Sequence, residues 1–230
     1  MHLSSLFHKS DYIFSCPLKF VGISSGLCNL TKQKLWFVSS AFNLDRWQKS
    51  KDNVPAIPNL YCIQTLTSAK TATALNKYIS TDRVTRLRVL LQVNTSGEDN
   101  KSGLAPLFPN TDVASSELYQ LASHVITGCP RLHLEGLMTI GSLEQSLTAS
   151  ETEKNMDFER LRETRDILRE YLVKKHAGTL WGQETTGSLV LSMGMSSDFE
   201  AALKNGADIV RVGTGIFGQR SKKSPWSHCI

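Results

Sequence analysis

The chain predicts an α/β fold in which crossover helices pack on a parallel sheet, and three observations support this. Short runs rich in Val, Leu and Ile alternate with segments of helical periodicity from residue 60 onward. The connections between them are of ordinary length. A chain of 230 residues, 40% hydrophobic, has room for one domain of barrel size or two small ones. The alternation permits either a doubly wound sheet or a TIM-type (β/α) barrel.

Five strands are predicted from these apolar runs, each followed by small or polar residues. They are Leu60–Thr65, Leu87–Val93, Leu132–Met138, Ser188–Met193 and Asp208–Val212. Two weaker candidates precede them, at Lys19–Ile23 and Leu35–Val38. Because a closed barrel of this type needs eight strands, the strand count falls short and the barrel is predicted to be incomplete.

Four helices are predicted between or after the strands. Ser68 can cap the first, and Ser115 or Ser116 opens the second. The longest runs from Glu153 to Lys175, and the last, Phe199–Asn205, is closed by Gly206. Apolar stripes are expected to face the sheet at Ala72, Leu75, Ile79, Leu118, Leu121, Ala122, Val125, Phe158, Leu161, Leu168 and Leu172.

Residues 1–53 do not follow this pattern, and we predict two parts: an atypical N-terminal segment 1–53 and a barrel portion 54–230. The first part holds seven Lys and Arg against three Asp, so it carries most of the net charge of +5. A charge confined to one segment favours a solvated leader over a nucleic-acid site. A mitochondrial leader is disfavoured, since the first 16 residues contain Asp11 and no arginine.

The five cysteines, Cys16, Cys28, Cys62, Cys129 and Cys229, show no C-x-x-C spacing. Neither a metal site nor a disulfide framework is therefore indicated. A reducing compartment is expected, in the first place the cytoplasm and as an alternative the mitochondrion. No apolar run approaches about 18 residues, so we expect no membrane partner. Because the excess charge lies in one segment, we expect no nucleic-acid partner either. The chain is expected to be a monomer.

Two strand ends near the C-terminus are rich in Gly, Ser and Thr, within Leu189–Asp198 and Ile209–Gly218. In (β/α) barrels the loops after the last two strands frequently bind phosphate, which favours the barrel over the doubly wound sheet. Glycine lets the backbone approach an anion, and hydroxyls add donors. The sequence thus predicts a phosphate cradle formed by Ser192, Ser196, Gly213, Thr214 and Gly215, against the alternative of two ordinary turns.

Arg211 is the second candidate feature, because its two valine neighbours face one way and it faces the barrel interior. A buried arginine needs a partner, which can be a structural carboxylate or a bound ligand. Met138 ends a strand and can pack on an aromatic ring or belong to the plain core. His133 is predicted to be structural, and Glu98, Asp99 and Lys101 to form a solvated loop.

Four stretches resemble signatures of the pyridoxal phosphate homeostasis protein family. They are Gly136–Ile140, Leu191–Phe199, Arg211–Gly218 and Gln92–Gly103, and the resemblance extends from about residue 54 to 220. It implies a barrel of the alanine racemase type that binds pyridoxal 5'-phosphate. The family has no established catalytic turnover and is implicated in vitamin B6 and amino-acid homeostasis.

The resemblance also implies roles for single residues. Ser196, Gly213 and Thr214 would hold the cofactor phosphate with Ser192 nearby, Arg211 would face the pyridine nitrogen, and Met138 would lie by the ring. An arginine is a permanent cation and a pure donor, so the ring nitrogen would stay unprotonated. The ring would then be a weak electron sink, which favours a carrier over an amino-acid enzyme.

The N-terminal segment departs from the family. The family's first strand carries the Schiff-base lysine in a context like Val-Ser-Lys-x-x-Pro, and its second strand ends near Gly-Glu-Asn; neither has a counterpart in residues 1–53. The resemblance therefore implies that the first two barrel strands are missing or replaced. Lys19–Gly22 and Trp47–Lys51 resemble two parts of one family segment, separated by the 24 residues Ile23–Arg46. A retained in-frame intron would produce this pattern. We expect open sheet edges, reduced stability and reversible cofactor binding without a covalent lysine.

Two alternative functions remain open. A racemase would need the lysine, an opposing tyrosine from a second domain and a dimer, and the chain is too short for that domain. A barrel could also bind a phosphate ligand unrelated to the cofactor. Visible absorbance of the purified protein would separate the cofactor hypotheses from this last one.

Overall fold

The computed structural model describes residues 60–142, 155–183 and 187–217, together with the backbone of residues 19–20 and 35–37. The predictions for the leader, for the missing lysine strand and for the interruption at residues 23–46 lie outside the described residues, apart from the two short strands.

In the part of the chain that the structure describes, seven strands form one parallel sheet. They are β1 (Lys19–Phe20), β2 (Leu35–Phe37), β3 (Leu60–Leu66), β4 (Leu87–Gln92), β5 (Leu132–Met138), β6 (Val190–Ser192) and β7 (Ile209–Val210). Their order in the sheet is β1-β7-β6-β5-β4-β3-β2, and every neighbouring pair is parallel.

This order is the cyclic order of a (β/α) barrel that is open between β1 and β2. Consecutive strands from β2 to β7 lie side by side, and β1 lies beside β7. The incomplete barrel predicted from the sequence is therefore confirmed. The two weak strand candidates of the sequence are β1, which pairs with β7, and β2, which pairs with β3. Among the described strands, the barrel is therefore open between β1 and β2, and the five strands β3 to β7 are continuous.

Within the described residues, five α-helices accompany the strands: α1 (Ala69–Tyr78), α2 (Glu117–Gly128), α3 (Met156–Lys175), α4 (Phe199–Lys204) and α5 (Thr214–Phe217), with a 3-10 turn at Val113–Ser115. The predicted caps Ser68 and Ser116 accept hydrogen bonds from Thr71 and Tyr119 backbone N–H groups. Helix α3 begins later than predicted because Asn155 caps it, accepting two backbone N–H groups. None of the described helices is long and apolar enough to cross a membrane.

Two apolar layers lie on the two faces of the sheet. The helix-facing layer holds every stripe residue predicted from the sequence, all at most 4% exposed. A smaller cluster consists of Cys62, Leu90, Met138, Val190 and Ile209. Side chains alternate between the two faces of a strand. On β4 to β7, a residue that neighbours a helix-facing residue in the chain therefore points into the barrel interior.

Strands β6 and β7 are shorter than predicted, and Arg211 follows β7 instead of lying within it. The reason is the turn after β6 at Gly194, whose φ is +84°. A Cβ at Gly194 would lie 2.4 Å from the Ala202 Cβ. The Arg211 N–H donates to the Gly194 carbonyl at 3.0 Å, so the chain after β7 bonds to this turn rather than to a strand.

Candidate functional site

The carboxyl ends of β5, β6 and β7 meet at one edge of the sheet, and the predicted site residues lie there. They form two groups. The arginine cluster consists of Arg211, Ser192, Thr139 and Gln64. The serine–glycine turn consists of Ser196, Gly213, Thr214 and Gly215.

The arginine cluster is a chain of buried hydrogen bonds. Arg211 is 2% exposed; its Nη1 donates to Ser192 Oγ at 2.9 Å and its Nη2 to the Thr139 carbonyl at 2.6 Å. Ser192 Oγ in turn donates to Gln64 Oε1 at 2.7 Å. Because Ser192 lies on β6 and Gln64 on β3, with two strands between them, this bond crosses the barrel interior.

Among the described residues, Arg211 donates to no carboxylate. Both of its acceptors, the Ser192 hydroxyl and the Thr139 carbonyl, are neutral oxygens. Burial lowers the pKa of Arg211 to about 10, and the nearby Asp198 acts in the opposite direction. The guanidinium is therefore charged at neutral pH. These two bonds use two of its five N–H donors, which suits a ligand contact better than a closed structural ion pair.

Asp198 balances this charge from the loop after β6. It is 4% exposed, and its Oδ1 accepts the Met195 backbone N–H at 2.5 Å. Its carboxylate thus shapes the turn that precedes α4 and also raises the pKa of Arg211.

The serine–glycine turn brings backbone donors to one point. The N–H groups of Gly213 and Gly215 donate to Ser196 Oγ at 3.0 and 3.3 Å. Thr214 lies between them as the exposed first residue of α5. Backbone N–H groups that converge on one oxygen resemble the nest that holds an anion. The predicted cradle residues are brought together here, except Ser192, which belongs to the arginine cluster.

Met138 is the last residue of β5 and is fully buried in the interior cluster with Leu90 and Val190. Its chain neighbour Thr139 supplies the carbonyl that Arg211 binds. Met138 therefore lies beside the arginine cluster, on the face of the sheet that carries Ser192.

Two predictions outside the site have different outcomes. His133 is structural as predicted, since its Nε2 lies 2.8 Å from the Gly182 carbonyl and the residue is 7% exposed. The solvated-loop prediction is wrong for Lys101. Its Nζ donates to Glu98 Oε1 and to the Gly141 carbonyl, both at 2.6 Å, so it ties the loop after β4 to the loop after β5.

The family model of the alanine racemase N-terminal domain matches residues 44–221. The chain belongs to this family. The match spans all the strands from β3 to β7 and both groups of the site. The family match agrees with the (β/α) barrel topology of the sheet. The relatives described next confirm the resemblance that the four sequence motifs indicated.

Curated relatives carry the name pyridoxal phosphate homeostasis protein. That of Homo sapiens is 36% identical over 185 residues, which is 79% of this chain and 59% of the relative. That of Caenorhabditis elegans is 38% identical over 172 residues, 73% of this chain and 60% of the relative. The chain thus spans about three fifths of the length of these relatives.

Solved structures show the same fold. PipY of Synechococcus elongatus with pyridoxal phosphate bound has a TM-score of 0.54 at 24% identity, over 82% of this chain and 72% of that one. An unknown protein from Bifidobacterium adolescentis has a TM-score of 0.51 at 30% identity, over 73% and 57% of the two chains.

Three residues of the site were missed by sequence reasoning. Gln64 left a signal, because it is the polar residue in the middle of an apolar strand run. Asp198 stood inside a recognised motif without an assigned role. Thr139 takes part through its backbone carbonyl, which no side-chain pattern reveals.

Proposed function

We propose that the chain is a non-catalytic pyridoxal 5'-phosphate binding protein that serves intracellular vitamin B6 homeostasis. The observation that carries the proposal is the pairing of two features on adjacent strand ends. Backbone N–H groups converge on Ser196 Oγ, and a buried arginine with neutral partners lies two residues before Gly213. One feature suits a phosphate and the other suits a ring nitrogen.

The residues of the serine–glycine turn fit a phosphate. The N–H groups of Gly213 and Gly215 meet at Ser196 Oγ, so a phosphate oxygen that takes the place of this hydroxyl would receive the same donors. A Cβ at Gly215 would lie 3.9 Å from Ser196 Oγ, so glycine leaves the space beside this hydroxyl open. Ser196 and Thr214 would add their hydroxyls to the phosphate.

The arginine cluster fits the opposite edge of the ring. Arg211 would donate an N–H to the pyridine nitrogen, with Ser192 nearby and Met138 beside the ring. When bound, the cofactor supplies an electron sink, which a permanently charged donor at the ring nitrogen weakens. The residues on this side therefore hold and orient the ligand without helping carbanion chemistry, in keeping with a carrier.

The relatives support this function. The curated relatives are named for pyridoxal phosphate homeostasis, and PipY was solved with pyridoxal phosphate bound. The proposal for this chain includes a cytoplasmic setting and a monomeric state, inferred from the cysteine pattern and the family resemblance. It also includes the domain division into an atypical segment 1–53 and a binding portion 54–230.

Ser196 provides the direct test of the proposal. We expect Ser196→Ala to weaken pyridoxal 5'-phosphate binding about tenfold, because one donor to the phosphate is lost. Ser196→Asp should abolish binding, since a carboxylate would take up the N–H groups and repel the phosphate. Isothermal titration calorimetry with pyridoxal 5'-phosphate and with pyridoxal measures both effects, and pyridoxal should bind these variants and the original chain alike.

Ser197→Ala is the matched control, because Ser197 is the exposed neighbour of Ser196 and lies outside the serine–glycine turn. It should leave both titrations unchanged. Equal affinity of the original chain and Ser196→Asp for pyridoxal 5'-phosphate would refute the phosphate site.

A second test concerns the covalent lysine. Since no lysine of residues 1–53 stands in the family context, borohydride treatment of the cofactor-loaded protein should leave no lysine stoichiometrically modified. The bound cofactor should leave on dialysis. Intact-mass and peptide mass spectrometry after reduction check this, and one fully modified lysine would contradict reversible binding.

A further inference from the structure

Gln64 is the buried polar residue that the proposed function leaves without a role. It lies on β3 at 0% exposure, and its Oε1 accepts a hydrogen bond from the Ser192 hydroxyl at 2.7 Å. Its Nε2 is also buried and has no hydrogen-bond partner among the described residues. A buried amide donor without a partner costs stability, so stability alone favours an apolar side chain at this position.

The comparison with Gln92 sharpens this point. Gln92 lies on the neighbouring strand β4 at 5% exposure, and its Nε2 donates to the Ser102 carbonyl at 2.6 Å. That amide holds the loop after β4 and has a structural role. Gln64 holds no backbone group in the part of the chain that the structure describes; its bond goes to the serine that Arg211 contacts.

The direction of the hydrogen bonds shows what Gln64 does. A hydroxyl has one proton, and that of Ser192 is committed to Gln64 Oε1. The lone pairs of Ser192 Oγ therefore face the Arg211 Nη1–H group at 2.9 Å. The bonds run in one direction from Arg211 through Ser192 to Gln64, an arrangement in which each bond strengthens the next.

We propose that Gln64 is a positioning residue that acts through Ser192 to fix the Arg211 guanidinium for recognition of an aromatic ring nitrogen. The inference rests on the proposed function, because the ring nitrogen is that of pyridoxal 5'-phosphate. According to this proposal, Gln64 on β3 helps the site to prefer a ring that contains nitrogen over one that does not. Gln64 lies across the barrel from the strand ends that carry the phosphate site.

The test compares two ligands in two proteins. The first ligand is pyridoxal 5'-phosphate, and the second is its carbocyclic analogue, in which a C–H group replaces the ring nitrogen. The original chain should bind the cofactor at least tenfold tighter than the analogue, because the analogue leaves the Arg211 donor unpaired. In Gln64→Met, which keeps a similar side-chain length but offers only a weak thioether acceptor, this ratio should fall to about threefold or less.

The change in the ratio isolates positioning from folding, because a general loss of structure weakens both ligands equally. Gln92→Met is the matched control: it should lower the melting temperature and leave the ratio unchanged. Gln64→Met should change the melting temperature by no more than a few degrees, because two effects offset each other. The substitution removes a buried amide donor that has no partner, and it also removes the acceptor of the Ser192 hydroxyl.

The outcomes separate the two proposals. If the original chain binds neither ligand, the proposed function fails and this inference fails with it. If the original chain binds both ligands equally, the contact between Arg211 and the ring nitrogen is wrong. If Gln64→Met keeps the full ratio, phosphate and ring binding stand and the positioning role of Gln64 is refuted.

Discussion

Arg211→Met is expected to weaken pyridoxal 5'-phosphate binding about 100-fold while the free protein stays about as stable as the original chain. Arg211 is the largest fully buried side chain that is charged, and taking a cation out of water carries a desolvation cost. Methionine fills a similar volume without that cost, which offsets the hydrogen bonds lost at Ser192 and Thr139. The Asp198 carboxylate loses the nearby positive charge but keeps the hydrogen bond from the Met195 N–H group. Calorimetric titration and urea unfolding measure the two quantities.

Arg88→Met should show the opposite pattern and serves as the control. Arg88 pairs with the buried carboxylate of Glu135 at 2.7 Å and lies over the Tyr61 ring at 4.9 Å. Arg88→Met removes this cation from beside the buried Glu135 carboxylate, and breaking a buried ion pair costs roughly 3 kcal/mol of stability. The cofactor affinity of the surviving folded protein should be unchanged.

The opposite effects of these two variants on affinity and stability distinguish the two interpretations of Arg211, a structural residue or a ligand contact. A structural arginine would behave like Arg88, with a large loss of stability and a proportionate effect on every ligand. A ligand-binding arginine loses affinity at constant stability. An Arg211→Met protein that unfolds more readily yet binds the cofactor normally would rule out the ligand contact.

The fold was predictable where local periodicity determines it. The helix stripes from Ala72 to Leu172 are buried as predicted, because one apolar face per helix leaves a single way to pack on the sheet. The strand ends were less predictable. Ile209–Val210 is shorter than its apolar run because the left-handed turn at Gly194 redirects hydrogen bonding, and this depends on a partner strand.

The site divides in the same way. The serine–glycine turn is local in sequence, so the Gly and Ser pattern revealed it. The arginine cluster joins Gln64 to Ser192 across 128 positions, and its third acceptor is the Thr139 backbone carbonyl. Neither contact leaves a local signature, because both arise only when the sheet curves. The direction in which Arg211 points followed from strand alternation; the identity of its partners did not.

Gly136→Ala is expected to destabilise the fold by about 3 kcal/mol or more, a large part of the roughly 5–15 kcal/mol that holds a typical domain together. Gly136 lies in β5 opposite Val190 of β6. A Cβ at this position would lie 2.0 Å from the Val190 carbonyl oxygen and 2.6 Å from its nitrogen. Both are backbone atoms, so no side-chain rotation relieves the clash and the two strands must separate.

Separation of β5 from β6 would also disturb the site, because Met138 pairs with Ser192 two residues further along the same ladder. The control is Gly178→Ala, at an exposed turn after α3 with φ +82° and no atom within 4 Å of an added Cβ. That change introduces backbone strain without a clash and should cost about 1 kcal/mol. Urea unfolding of both variants checks the difference, and equal losses would mean that the two strands accommodate the added methyl group without the expected clash.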